Sequence, residues 1–270
     1  MNHTGERLTT TIKHETAIHH LHRYAIAIEL AKDKDVLDIA SGEGYGSNLL
    51  SKTAKNVTGV DISREAIEFS TKKYKSNNLK FIIGSADKIP LEDNSIDLAV
   101  SFETIEHHDK HHEMFKELKR VLKPNGILIM SSPDKLNYSK SINQDNHFHV
   151  KELFREEFKD LVLQNFKHSK IYYQNISYNS IIVPENGIGS NFKEYSGGFS
   201  AINSESSINF PVYNICIASD KELSGLNLTD FSTYTAAEVL QDILNVYDSK
   251  TYKVGKLITQ PLRWIKKLIS

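Results

Sequence analysis

The stretch Ser101–His112, SFETIEHHDKHH, gathers two glutamates, an aspartate and four histidines within twelve residues, directly after an apolar run. Carboxylates and imidazoles at this density can hold a divalent cation or move a proton near neutral pH. Glu103, Glu106 and His107 form a Glu-x-x-Glu-His pattern. If Glu103 closes a strand and Glu106 opens the next helix, all three converge on one point. Two carboxylates and one imidazole are oxygen-rich, which favours Mg²⁺ or Mn²⁺ over Zn²⁺. Two other readings compete. His107 could act without metal as a general base, or Glu106 and Asp109 could simply favour a helix N-terminus. His108, His111 and His112 are expected on a solvated helix face.

A second constellation lies upstream. VLDIASGEGYGS (36–47) is an apolar run followed by Gly42, Gly44 and Gly46. Glycine lets the backbone take positive φ and approach a ligand closely. Asp61 follows about twenty residues on, where a carboxylate accepts from ribose hydroxyls. No Gly-Lys-Ser/Thr follows the loop, so nothing there is built to grip a triphosphate.

The elements that must position these groups follow from periodicity. Residues 15–32 read as an amphipathic helix with Ile18, Leu21, Ala25, Ile28 and Ala31 on one side. Strands are expected at 35–40, 56–63, 79–86, 95–103 and 125–133, the last entered by the turn KPNG. Helical stretches fall between them, GSNLLSKTA, SREAIEFSTKKYKS and HEMFKELKRVL. This alternation predicts a doubly wound, mostly parallel α/β sheet. A helix at 150–166 and strands at 169–176 and 208–219, closing as an antiparallel pair, bring the sheet to seven strands. Residues 177–207, rich in Asn, Ser and Gly, read as an insertion. The expected organisation is an N-terminal helical cap over 1–33, a main domain over 34–219 and a C-terminal helical tail over 220–270.

Bulk properties narrow the class. The 270 residues are 39% hydrophobic and carry a formal charge of −1, so nothing global points to nucleic acid. A single cysteine, Cys216, excludes an internal disulfide and a cysteine-based zinc site. The polar start lacks the apolar core of a signal peptide, and no run of eighteen apolar residues exists. The expectation is a cytoplasmic enzyme. The tail (250–270) carries six cations and no acid, with Val254, Leu257, Ile258, Leu262, Ile265 and Ile269 able to share a face. It suits the inner membrane surface, a partner protein, its own domain or a second subunit as a homodimer.

Taken in order, VLDIASGEGYG, GVDIS, GSADKIPLEDNSIDLAVSFETIEH and RVLKPNGILIMSSP resemble the motif series of class I S-adenosylmethionine-dependent methyltransferases over residues 20–175. Ala40 stands where many members have the first glycine. The resemblance implies S-adenosylmethionine as cofactor, with Asp38, Gly42 and Gly44 lining its methionine portion. It implies Asp61 at the ribose diol, Ile62 beside the adenine, Asp87 after Ala86 at the adenine amino group, and Phe102 with Glu103 under the methyl sulfonium. GERLT and HLHRYAIA, with NHFHVKELF (146–154), resemble a subgroup from surface-polysaccharide and O-antigen loci, often near glycosyltransferases. That resemblance implies a sugar acceptor, with Glu6, Arg7 and Tyr24 closing the pocket. The Glu-x-x-Glu-His pattern is similar to that of small-RNA 2′-O-methyltransferases and ubiquinone-biosynthesis O-methyltransferases. The first group adds a histidine after the fifth strand, here His149 or His147. Glu103, Glu106, His107 and His149 are then the candidates for catalysis or metal, and Arg7 and His147 for the substrate. The alternatives are an enzyme for a quinone-type phenol and a catalytically silent subunit that docks a glycosyltransferase.

Overall fold

A computed structural model describes residues 15–142, 148–176, 180–185, 194–198, 201–205, 208, 211–224 and 232–234. Helix α1 (Glu15–Ala31) leads into β1 (Asp35–Ile39), α2 (Tyr45–Leu50), β2 (Asn56–Asp61), α3 (Arg64–Lys73), β3 (Leu79–Ile83) and β4 (Ile96–Phe102). A 3-10 turn, Ile105–His107, precedes α4 (His111–Val121) and β5 (Leu122–Pro133). Then come α5 (Lys135–Ile142), α6 (Arg155–Asn165), β6 (His168–Ile176), β7 (Ser180–Pro184), the hairpin β8 (Glu194–Gly198) and β9 (Ala201–Glu205), β10 (Tyr213–Ser219) and β11 (Ser232–Tyr234).

The main sheet runs β11-β7-β6-β10-β5-β4-β1-β2-β3. The seven expected strands form its continuous core, parallel from β3 to β5 and antiparallel at β10 and β6. The sheet is wider than expected because β7, from the supposed insertion, adds to β6, and β11, a strand within the stretch expected as the helical tail, adds to β7. The run of β-branched residues Ile181, Ile182 and Val183 suits the pleated surface of a strand. The C-terminal helices expected after residue 234 lie outside the described residues.

Both faces of the sheet are covered, as a parallel core demands. Met114, Phe115, Leu118 and Val121 recur at helical spacing and bury α4 against one face, with Phe158 and Val162 of α6. On the other face α1 and α2 pack Ala27, Leu30 and Leu50 over Leu98 and Val100. The buried side of α1 differs from the apolar stripe expected for it. Leu21, Ala25 and Ile28 are only half-buried, while His19, His22 and Arg23 are buried with Tyr24. Periodicity counts apolar residues, and cannot register polar side chains buried because partners elsewhere satisfy them.

The chain order places the site. β1 carries β2 on one side and β4 on the other, with Leu37 opposite Thr58 and Ala99. The connections after β1 and β4 therefore diverge, opening a crevice beyond the carboxyl ends of these strands.

Candidate active site

A cavity of about 520 Å³ occupies that crevice, within the usual range for small-molecule sites. The loop after β1 forms one wall. Ala40 has φ 58° and Gly42 φ 54°, and the alanine accepts there the left-handed backbone that glycine takes without a Cβ penalty. The Gly42 N–H donates to Asp61 Oδ2 at 2.8 Å, and the Ser63 N–H donates to Asp61 Oδ1 at 2.8 Å. Asp61 thus stands at the end of β2 oriented by two backbone donors, facing the cavity with exposed Ile62 beside it. Ser41 also faces the cavity, and its buried hydroxyl has no hydrogen-bond partner among the described residues. Ala86 and Asp87 line the far end. Lys110 reaches Asp87 Oδ2 at 2.6 Å. With the Ser85 hydroxyl donating as well, that pair draws the Asp87 carboxyl down to about 2.

Two expected cofactor contacts lie behind the wall. Asp38 and Gly44 are not among the residues facing the cavity. Asp38 is buried, accepting from Ser47 Oγ at 2.6 Å and from the Tyr24 hydroxyl at 3.1 Å. Burial pushes its carboxyl up to about 6 against the pull of those two hydroxyls. Gly44 caps α2 at φ 79°, and a Cβ there would sit 2.7 Å from the Phe81 ring and from Ser70 Cβ. Its glycine serves helix entry and close packing. Tyr24 does face the cavity, its ring edge-on to Phe102 at 5.1 Å.

The opposite wall comes from the residues after β4. Glu103 faces the cavity but does not join a cluster with Glu106 and His107. Its φ is +50°, an unfavourable backbone for a non-glycine residue that surrounding contacts must hold. Arg23 Nη1 lies 2.8 Å from Glu103 Oε1, and Ser131 Oγ donates to the same oxygen at 2.7 Å. Arg23 is fully buried, donates to Gln174 at 2.8 Å and to Ser131 at 3.0 Å, and lies 4.3 Å over the Tyr213 ring. Such pairing engages Nε and Nη1 of the buried arginine, while Nη2 has no hydrogen-bond partner among the described residues, and it commits the Glu103 carboxylate to the guanidinium.

Glu106 and His107 lie in the 3-10 turn before α4, with His107 Nε2 4.0 Å from buried Glu106 Oε1. His149 joins them: Glu106, His107 and His149 offer ligand atoms within 4.8 Å of one another. His149 was expected at the edge of a helix beginning at residue 150. Residues 150–154 instead lie outside α6, and the Val150 and Lys151 N–H groups donate to the Glu106 carbonyl at 2.8 and 3.0 Å. That clip brings His149 to 5.1 Å from the His107 ring. His147, Glu6 and Arg7 lie outside the described residues. Of the histidines expected on a solvated face, His111 is buried with Nε2 2.8 Å from the His108 carbonyl oxygen, and His108 faces the cavity. Only His112 matches the expectation.

Further residues of the site lack an obvious sequence signal. His20 and Tyr45 line the wall near the glycine loop, with the Tyr45 hydroxyl 3.0 Å from His20 Nδ1. Burial, then Arg23, holds the His20 imidazole well below its usual range, so it is neutral. Tyr138 and Tyr213 approach from α5 and β10, their rings 5.8 Å apart.

Residues 37–130 match the family model described as a methyltransferase domain. Over 162 residues, 59% of this chain and 62% of the relative, the chain is 30% identical to a Mycolicibacterium smegmatis protein named as a probable S-adenosylmethionine-dependent methyltransferase. Over 110 residues, 40% of each, it is 32% identical to the phthiotriol/phenolphthiotriol dimycocerosates methyltransferase 1 of Mycobacterium ulcerans. The chain thus spans between two-fifths and three-fifths of the length of these curated relatives. The fold is similar to that of a Thermotoga maritima SAM-dependent methyltransferase, at TM-score 0.55 and 20% identity, covering 77% of this chain and 92% of that one. It is also similar to that of a Pyrococcus horikoshii protein, at TM-score 0.54 and 21% identity, covering 82% and 100%. Residues 37–130 thus match a methyltransferase domain, and the fold is Rossmann-like and similar to that of solved methyltransferases.

Proposed function

We propose that this chain transfers a methyl group from S-adenosylmethionine to a hydroxyl of a sugar, in a surface glycan or its nucleotide-linked precursor. The observation that carries the reading is the cluster of Glu106, His107 and His149 in the same cavity as the glycine loop and Asp61. A hydroxyl is a weak nucleophile, and a carboxylate with two imidazoles is a set that can orient it and accept its proton. The sugar assignment rests on the resemblance of GERLT, HLHRYAIA and NHFHVKELF to polysaccharide-locus enzymes. The relatives' names do not include a sugar.

The cavity fits the cofactor's chemistry. Asp61 is oriented to accept from a diol, and Ser41 supplies a buried hydroxyl with no partner among the described residues. When bound, S-adenosylmethionine supplies an electrophilic methyl on a sulfonium. Asp61 would hold the ribose, Asp87 the adenine amino group, and Ile62 the adenine face. Glu103, an anion anchored by Arg23, faces the space between these groups and the cluster. An imidazole of the cluster would accept the proton of the acceptor hydroxyl. Alignment of the two reactants contributes most of the rate.

Glu106, His107 and His149 would also fit a divalent cation, which would lower the acidity threshold of a bound hydroxyl. With Glu103 committed to Arg23, the donors are two imidazoles and one carboxylate. That mixture suits Mn²⁺ or Zn²⁺ better than Mg²⁺.

The test offers the purified chain labelled S-adenosylmethionine with glycan and nucleotide-sugar acceptors, alongside phenols and amines, and reads products by mass spectrometry. Methyl ether on a sugar is expected. Methylation confined to a phenol or an amine refutes the sugar reading.

A further inference from the structure

We infer that Glu152 is a positioning residue that fixes the tautomer and ring orientation of His149, an inference resting on the proposed role of Glu106, His107 and His149. The Val150 and Lys151 N–H groups donate to the Glu106 carbonyl, pinning this segment along the 3-10 turn. Its other end is held by the Asp134–Leu153 bridge and by the Lys135 N–H donating to the Leu153 carbonyl at 3.1 Å. Glu152 lies between these anchors and His149 just before them, and the two side chains face each other, 6% and 9% exposed for His149 and Glu152.

His149 Nδ1 lies 2.5 Å from Glu152 Oε1, and the ring stacks on Tyr138 at 5.4 Å. A carboxylate only accepts, so Nδ1 carries the hydrogen and Nε2 keeps its lone pair. His107 is held by the same logic with a different partner: its Nδ1 lies 3.1 Å from the Phe148 carbonyl oxygen. Both imidazoles thereby keep the lone pair on Nε2, and His107 Nε2 lies 4.0 Å from Glu106 Oε1 in the cluster that the two rings share with that carboxylate. One is fixed by the main chain, which substitution cannot remove. The other is fixed by a side chain, which it can. An imidazole that has lost its orienting carboxylate samples both tautomers, and as a ligand or proton acceptor it is typically weakened about 10- to 100-fold.

The test uses the full chain with two replacements. Glu152→Met keeps the volume and loses the acceptor, whereas Glu152→Gln keeps an amide oxygen that can accept. In ¹⁵N-histidine-labelled protein, with the His149 ring assigned by its absence in His149→Gln, the ring nitrogens report the tautomer directly. The native chain and Glu152→Gln should show hydrogen on Nδ1, and Glu152→Met a mixture. Turnover of a sugar acceptor should fall about 10- to 100-fold in Glu152→Met, recover in Glu152→Gln, and leave calorimetric affinity for S-adenosylmethionine unchanged. A native tautomer in Glu152→Met, or equal loss of turnover in both variants, overturns the inference. The nitrogen spectra need no acceptor, so a native chain that methylates no sugar would defeat the proposed function alone.

Discussion

On the cofactor side of the cavity, Asp61 is oriented by the N–H of Ser63, two residues away, and by that of Gly42 in the neighbouring loop. On the acceptor side, Glu103 is oriented by Arg23, which is itself held by Gln174 across a separation of 151 residues. The first side is assembled from a strand, its loop and the next strand, so its geometry follows from local chain chemistry. The second needs α1, β4, β5 and β6 in place before any one contact forms. A substitution on the cofactor side should therefore cost ligand affinity, and one on the acceptor side should cost rate or global stability.

The sharpest test of that division is Glu106→Gln. Methyl transfer should fall about 10²- to 10⁴-fold, the range for loss of acid–base assistance, while calorimetric affinity for S-adenosylmethionine stays native. Chelation followed by Mn²⁺ separates the two roles open to the cluster. Activity lost to EDTA and restored by the ion means a cation is held, and full activity in metal-free enzyme leaves the imidazoles working alone. If Glu106→Gln binds the cofactor poorly, the two sides are one unit and the comparison fails.

Arg23→Met should act on the whole fold. Removing one partner of a buried ion pair costs about 3–5 kcal/mol, because the other charge is left without compensation. Glu103 retains some contact with the cavity, so the lower end is expected in urea unfolding. Glu103→Gln should cost less, since its amide oxygen can still face the guanidinium. A loss under about 1 kcal/mol for Arg23→Met would mean that the network does not hold the acceptor side together.

This difference also governs what the amino-acid sequence discloses. The strand order, the glycine loop and the places of Asp61, Asp87 and Phe102 follow from spacing and from the family resemblance. Each depends on neighbours within one strand–loop–helix unit. Asp38 and Gly44 show the limit even there: spacing brings a residue to the loop, but side-chain packing decides which of its faces meets the cavity. On the acceptor side, the alternation of apolar and polar residues in α1 pointed to the wrong stripe. Arg23 is buried by Glu103, Gln174 and Tyr213, and no periodicity within α1 contains them. The three-residue interval between His149 and Glu152 was visible. Its meaning was not, because it depends on an extended segment where a helix was expected.

Asp38 offers a subtler test, on the side expected to be locally built. Its carboxyl sits near 6 in the folded chain against 3.8 for an unburied aspartate, because burial disfavours the charge. The folded state therefore binds more protons than the unfolded one between about pH 4 and 6, so stability falls as pH rises through that window. The cost is absent below the window and complete above it, on the order of 3 kcal/mol from the size of the shift. Asp38→Asn should flatten this part of the urea-midpoint profile relative to the native chain. Parallel profiles would show that the Ser47 and Tyr24 hydroxyls compensate the buried charge fully.

The smallest effect is expected where the two sides touch. Lys110 stands just before α4, on the acceptor side, yet its ammonium lies 2.6 Å from Asp87 at the adenine end. The lysine is exposed, so solvent screens the pair and its contribution is small. It nevertheless occupies an oxygen that the adenine amino group is proposed to use. Removing it in Lys110→Ala should raise affinity for S-adenosylmethionine by no more than about five-fold at low salt, with the gain fading as ionic strength increases. Asp87→Asn should weaken binding and make the Lys110 replacement silent, since no carboxylate remains to be contested. If Lys110→Ala weakens binding instead, the lysine stem covers the cofactor, and the beginning of α4 belongs to both halves of the site.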